Sequence, residues 1–167
     1  LCYTTEMAMQ LAVVTVVGQC VGANDYDQAR YYIRKMLIMA MVMAVINNVI
    51  IFVVSPFALQ LYTLKNETLA ITETILDMEC LAVGLFHVLA FVLPTCLRAA
   101  GDAKYTMDVG VLSMFFARVA GAYILGTVMG LGVVGTRIAM YIDWIVRIVF
   151  FAIRYKSGKW TQYRAIE

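Results

Sequence analysis

Charged residues are sparse along the chain and leave long apolar runs between them. Met7 to Asn24 lies between Glu6 and Asp25, Met36 to Leu64 between Lys35 and Lys65, and Cys80 to Leu97 between Glu79 and Arg98. Beyond Asp108 the chain is apolar to Thr136 apart from Arg118, then to Ile153 apart from Arg137, Asp143 and Arg147. A helix needs about 20 mostly apolar residues to cross a bilayer, because hydrocarbon offers no partner to a bare backbone and only helices or closed barrels satisfy it internally. Gly126, Gly130, Gly132 and Gly135 divide the last stretch, since glycine weakens a helix interior and favours turns. The pattern predicts five helices, over residues 1–22 and about 36–57, 74–97, 107–127 and 133–154, followed by a basic tail over 155–167. The 36–57 run is expected to pass into a polar turn near Ser55 and Pro56. Runs this long do not read as the short alternating strands of an outer-membrane barrel. The expected fold class is all-α transmembrane, a helical bundle.

Composition agrees with that reading. The chain is 63% hydrophobic and 14% charged, with mean hydropathy +0.82, against about 45–50% apolar and 25% charged in soluble domains. That balance excludes a soluble hydrolase or nucleotide-binding fold, and a net charge of +2 supplies no basic field for nucleic acid. The start at Leu1, with no basic segment or cleavage signal, predicts an N-terminus excised from a longer protein.

Orientation follows from the basic residues near the helix ends. With alternating sides, one set holds Arg30, Arg34, Lys35, Arg98, Lys104, Arg154, Lys156, Lys159 and Arg164, and the other only Lys65 and Arg137. The loops around 24–35 and 98–106 and the C-terminus are therefore expected in the cytoplasm. The acidic connection bearing Glu67, Glu73, Asp77 and Glu79 is expected outside. Trp160 and Tyr31, Tyr32, Tyr155 and Tyr163 fit an aromatic belt at the interface.

Cys2, Cys20, Cys80 and Cys96 show no paired spacing, so neither a zinc site nor a disulfide framework is predicted. No phosphate-binding glycine motif and no nucleophile–base constellation is present, which points away from an enzyme and from a cofactor. Met36, Met39, Met41 and Met43 read as adaptable packing in an apolar helix.

Ionisable groups within spans carry more information, because each costs at least ~2.5–3.5 kcal/mol at the bilayer centre unless paired or hydrated. At 1.5 Å per residue, His87, Arg118 and Asp143 each lie roughly 15 Å from the cytoplasmic end of their helix, in one midplane layer. Arg118 and Asp143, on consecutive antiparallel helices, are expected to pair, and Arg147 four residues beyond Asp143 permits an intrahelical pair. Such pairs either fix helix register or line a hydrated substrate or ion path. His87 stands on a stripe with Cys80, Gly84, Phe91, Pro94 and Arg98. Its charge can change near neutral pH, and Pro94 frees a backbone carbonyl one turn earlier. Gly84 and Pro94 are the expected hinge or kink positions of that helix.

The stretches VGQCVGANDYDQARYYIRK (17–35), LPTCLRAAGDAKYTM (93–107) and GVVGTRIAMYIDWIVRIVFFAIRYKSGKW (132–160) resemble segments of the multidrug and toxic compound extrusion family. They match its connection after the second helix of a lobe, the signature after its tenth helix, and its twelfth helix with basic tail. The resemblance implies a twelve-helix protein of two six-helix lobes in the cytoplasmic membrane, exporting drugs or organic cations by antiport with H⁺ or Na⁺ through alternating access. This chain would then supply the eighth to twelfth helices, with the N-terminal lobe as its missing partner and no transport by the fragment alone. The family's tenth-helix aspartate, which helps hold the coupling cation in one branch, falls here on His87, so a Na⁺ site built on that position lacks its carboxylate. A flippase for lipid-linked oligosaccharides from the same superfamily and a small membrane scaffold are the alternatives.

Overall fold

The computed structural model describes residues 4–60 and 66–162; Cys2, Lys65, Tyr163 and Arg164, named above, lie outside them. Five helical columns follow one another. The first is α1 (Thr4–Gly22) and the second α2 (Tyr26–Gln60). The third is α3 (Asn66–Ala82), continued through a widened π-turn, Val83–His87, into α4 (Val88–Ala99). The fourth is α5 (Ala103–Ser113), extended with π geometry over Met114–Ala120 and Tyr123–Val128. The last is α6 (Gly132–Lys156), trailed by a single 3₁₀ turn, Lys159–Gln162. No strand occurs among the described residues.

Three of these helices, Thr4–Gly22, Tyr26–Phe57 and Ala103–Val128, are long and apolar enough to cross a membrane. The third column is divided by the π-turn, and α6 carries Arg137, Asp143 and Arg147 within its apolar length. Among the described residues the number that qualify by length and composition is thus three, where the hydropathy pattern predicts five.

The helices also overrun the apolar runs. Helix α2 starts at Tyr26, so the charged residues 26–35, read from the sequence as a connection, form its first turns. No glycine or proline interrupts the chain there, and the Asp25 carboxylate caps the helix by accepting from the Gln28 N–H at 3.0 Å. At the other end α2 passes through Pro56 to Gln60, where a polar turn was expected. Proline removes the donor for the carbonyl four residues back, which is Phe52. The Ser55 hydroxyl donates to that carbonyl at 3.0 Å, so the helix continues without an orphaned acceptor. Apolarity marks where lipid lies, and a helix persists beyond it until its hydrogen bonds or chain geometry fail.

The turn into α6 depends on backbone freedom. Gly130 and Gly132 adopt φ of +70° and +55°, and a Cβ on Gly135 would stand 2.6 Å from the Leu125 carbonyl oxygen. The start of α6 therefore packs backbone against backbone on the helix before it.

The core joins α1, α2 and α4. Val13, Val17 and Val21 meet Ile33, Ala40 and Ala44 on one side and Val92, Leu93, Cys96 and Leu97 on the other. Outward, α2 presents Ile38, Val49, Phe52 and Phe57, and the fourth column Phe115 and Phe116. A surface this apolar suits lipid as its solvent. Trp160 departs from the interfacial belt predicted for it: it is fully buried, stacked on Tyr155 and edge-on to Tyr26, with the Arg30 guanidinium 5.9 Å from its ring centre. The turn after α6 folds back onto the start of α2, where an aromatic ring removed from water gains more than one left at the surface.

Candidate functional site

The valines of α1 that face the core, Val13, Val17 and Val21, extend back by helical steps to Gln10 and Glu6. That stripe carries the Glu6 carboxylate inside the bundle, where the residue is 1% exposed. It meets His87 at the end of the π-turn, with Nδ1 hydrogen-bonded to Oε2 of Glu6. The imidazole stacks on Phe91 at 4.3 Å and meets Trp144 edge-on at 5.0 Å between ring centres. The other carboxylate oxygen of Glu6 and the indole N–H of Trp144 have no hydrogen-bond partner among the described residues.

Trp144 adjoins the second charged group. Asp143 of α6 is completely buried, accepts from Arg147 Nε at 3.0 Å, and lies 3.6 Å from Arg118 Nε of the fourth column. Arg147 also donates to the Gly110 carbonyl at 3.1 Å and covers the face of Phe91 at 5.7 Å. The structure thus brings together His87, Arg118, Asp143 and Arg147, with Phe91 and Trp144 as the aromatic spacers between imidazole and carboxylate. Two carboxylates, two guanidiniums and an imidazole sit in an environment where a lone charge is untenable.

Helix α6 carries an ion pair on either side of this layer. Glu79 of α3 accepts from Arg137 at 3.1 Å and from the Tyr141 hydroxyl at 3.0 Å. At the opposite end Arg154 grips Asp102 with two bonds, 2.6 and 3.2 Å, and lies 4.5 Å over the Tyr105 ring. That clamp holds the LRAAGD turn against the end of α6.

The hinge positions separate in the structure. Gly84 lies within the π-turn, where backbone departs from α geometry, and no atom comes within 4 Å of a Cβ placed on it. Pro94 lies inside α4, whose helical assignment runs unbroken from Val88 to Ala99. The irregularity therefore falls at 83–87, ahead of the proline, because Val92, Leu93, Cys96 and Leu97 are packed against α1 and hold the helix on both sides of Pro94.

Glu6 is the residue that sequence reasoning missed. It was read only as the boundary of an apolar run, although its spacing to Val13 and Val17 places it on the buried face. The consequence for His87 is direct: a carboxylate does stand at this depth of the bundle, supplied by α1 and not by the helix of the π-turn.

The MatE family model matches residues 1–124. The chain belongs to the MatE family. Within it, the chain is 27% identical over 149 residues to the "Uncharacterized transporter YisQ" of Bacillus subtilis, covering 88% of this chain and 32% of that protein. It is 24% identical over 163 residues to the "Probable multidrug resistance protein NorM" of Thermotoga maritima, covering 96% of this chain and 34% of that one. A third relative, the "Probable multidrug resistance protein YoeA" of Bacillus subtilis, is 23% identical over 77% of this chain and 28% of its own. The MatE chain described here spans about a third of the length of these curated relatives. No solved structure matches it. MatE membership and the apolar helices make it part of a multi-pass membrane protein.

Proposed function

We propose that this MatE chain is C-terminal-lobe machinery of a secondary antiporter that exports drugs or organic cations across the cytoplasmic membrane in exchange for H⁺ or Na⁺. The C-terminus faces the cytoplasm, and the N-terminal lobe of the same protein is the partner with which it forms the transport path. The single observation that carries this reading is the buried Glu6–His87 pair between α1 and the π-turn, in a family whose relatives here are named transporters and multidrug resistance proteins.

The pair joins two elements that can move apart. Glu6 reaches it from α1; from α6, Asp143 and Arg147 stand behind Trp144 and Phe91. A cation arriving at the Glu6 carboxylate, a proton or Na⁺, competes with the imidazole for the same oxygens and releases α1 from the π-turn. Breaking a buried pair by removing one partner is costly because it leaves an uncompensated charge, so release and cation occupancy are linked. The π-turn supplies the compliance, since it already sits outside α geometry. Alternating access requires such a connection between cation occupancy and helix position.

Dye efflux from proteoliposomes containing the full-length protein, driven in turn by a proton and by a Na⁺ gradient, tests the reading. One gradient should drive efflux in the native protein, and His87→Ala should alter its pH dependence. Failure of both gradients to drive efflux would reject the proposal.

A further inference from the structure

A groove of about 430 Å³ runs between α1 and α4, beside the last turn of α4. Met7, Leu11 and Val14 of α1 form its apolar wall, and all three are exposed. Its polar edge is Gln10, Thr95 and Arg98, the last being one residue short of the end of α4. An arginine near the end of a spanning helix ordinarily extends its head towards water. Arg98 turns back along its own helix instead, where Nη2 donates to the Thr95 hydroxyl at 2.8 Å. Thr95 is 5% exposed. Its single proton goes to the Phe91 carbonyl at 2.8 Å, which leaves the oxygen to accept from the guanidinium. Gln10 Oε1 lies 3.4 Å from the same hydroxyl. Among the described residues nothing else hydrogen-bonds the Arg98 guanidinium, and no carboxylate pairs with it or lines the groove.

A guanidinium drawn onto an apolar wall without a counter-charge needs an anion beside it. Phosphate accepts from its fork of N–H donors bidentately, and a bilayer supplies phosphate at the level where spanning helices end. The apolar wall leads inward from there. Val14 and Met7 are seven residues apart on α1, a rise of about 10 Å towards the depth of Glu6. That fits within the roughly 15 Å that one acyl chain occupies in a hydrocarbon core about 30 Å thick. A zwitterionic headgroup would bring an ammonium for which the groove has no carboxylate, so a headgroup of net negative charge matches the site better.

We propose that the α1–α4 groove holds one anionic phospholipid, its phosphodiester on the Arg98 guanidinium and one acyl chain laid along Val14, Leu11 and Met7. The lipid is a resident ligand of the bundle and not cargo. The Thr95 hydroxyl positions the guanidinium over the groove. None of this depends on the coupling role proposed for the Glu6–His87 pair.

Lipid titration of the purified full-length protein in detergent, with bound lipid resolved by native mass spectrometry, tests this. Dioleoyl phosphatidylglycerol should bind the native protein roughly tenfold more tightly than dioleoyl phosphatidylcholine. Arg98→Gln should remove that preference. Arg34→Gln, which alters another exposed arginine away from the groove, should keep it. Leu11→Trp fills the groove without changing any charge and should weaken phosphatidylglycerol binding. Glycerol 3-phosphate, the phosphate without its chains, should not displace the lipid. Equal affinity for the two lipids in the native protein, as a carboxylate of the N-terminal lobe seated on Arg98 would produce, would overturn the proposal. So would a preference that survives in folded Arg98→Gln, or displacement by glycerol 3-phosphate. No ion gradient enters this measurement, so its outcome is separate from that of the efflux experiment.

Discussion

Glu6 and His87 lie 81 residues apart in the chain and share a hydrogen bond inside the bundle, the first on a regular helix and the second at the end of a π-turn. Two buried groups of this kind stabilise the fold only as a pair. Glu6→Leu alone or His87→Phe alone should therefore destabilise the full-length protein by about 3–5 kcal/mol, whereas the two replacements together should recover most of that loss without recovering transport. Denaturant unfolding in detergent combined with efflux assays checks both parts; additive losses in the double variant would count against direct coupling.

The two arginines at Asp143 are not equivalent. Arg147 approaches to 3.0 Å with its side chain 15% exposed, and Arg118 to 3.6 Å with its side chain 35% exposed. The greater distance weakens the second pair. Arg147→Met should lower the thermal midpoint more than Arg118→Met, and Asp143→Asn more than either, because it strands both guanidiniums. The reverse order for the arginines would show that the shorter pair is not the stronger one.

The close approach at Gly135 gives a steric prediction. Gly135→Ala places a Cβ 2.6 Å from the Leu125 carbonyl oxygen, a backbone atom that cannot swing aside. It should sharply reduce folded yield and thermal midpoint. Gly18→Ala meets nothing within 4 Å on α1 and should be neutral or stabilise by roughly 0.5–1 kcal/mol through helix propensity. Size-exclusion profiles and melting curves of the two variants separate them.

Trp160 ties the turn after α6 to the start of α2 through Tyr155, Tyr26 and Arg30. Trp160→Ala removes a buried ring, a loss of about 3–5 kcal/mol where the site cannot collapse. Lys156 and Lys159 should then become trypsin-sensitive in the folded protein. Unchanged cleavage rates would mean that the clasp is held by other contacts.

Much of this architecture was legible because the bilayer imposes it: apolar runs had to be helices, and sparse charges within them had to find partners. Arg118 and Asp143 could be grouped by depth and Arg147 joined to them by its four-residue spacing from Asp143, and their contacts follow both. Helix ends were less legible, since hydropathy reports the solvent of a residue and says nothing of whether α2 keeps its hydrogen bonds beyond the lipid. The rescue of Phe52 by Ser55 is invisible without coordinates. The π-turn at 83–87 likewise depends on how α4 packs against α1: of the two hinge positions legible in the sequence, Gly84 lies within it and Pro94 does not. Glu6 was overlooked for a simpler reason. It stands at the edge of an apolar run, where a charge marks a boundary and hydropathy does not report which helix face carries it.

The most direct test of a coupling role for the Glu6–His87 pair is gradient-driven efflux of a cationic dye from proteoliposomes of the full-length protein, comparing native protein with Glu6→Gln at matched folded amounts. Under whichever gradient drives the native protein, H⁺ or Na⁺, the carboxamide variant should lose at least tenfold of the gradient-dependent rate while still binding dye. A folded Glu6→Gln variant with the native rate under that gradient would contradict it.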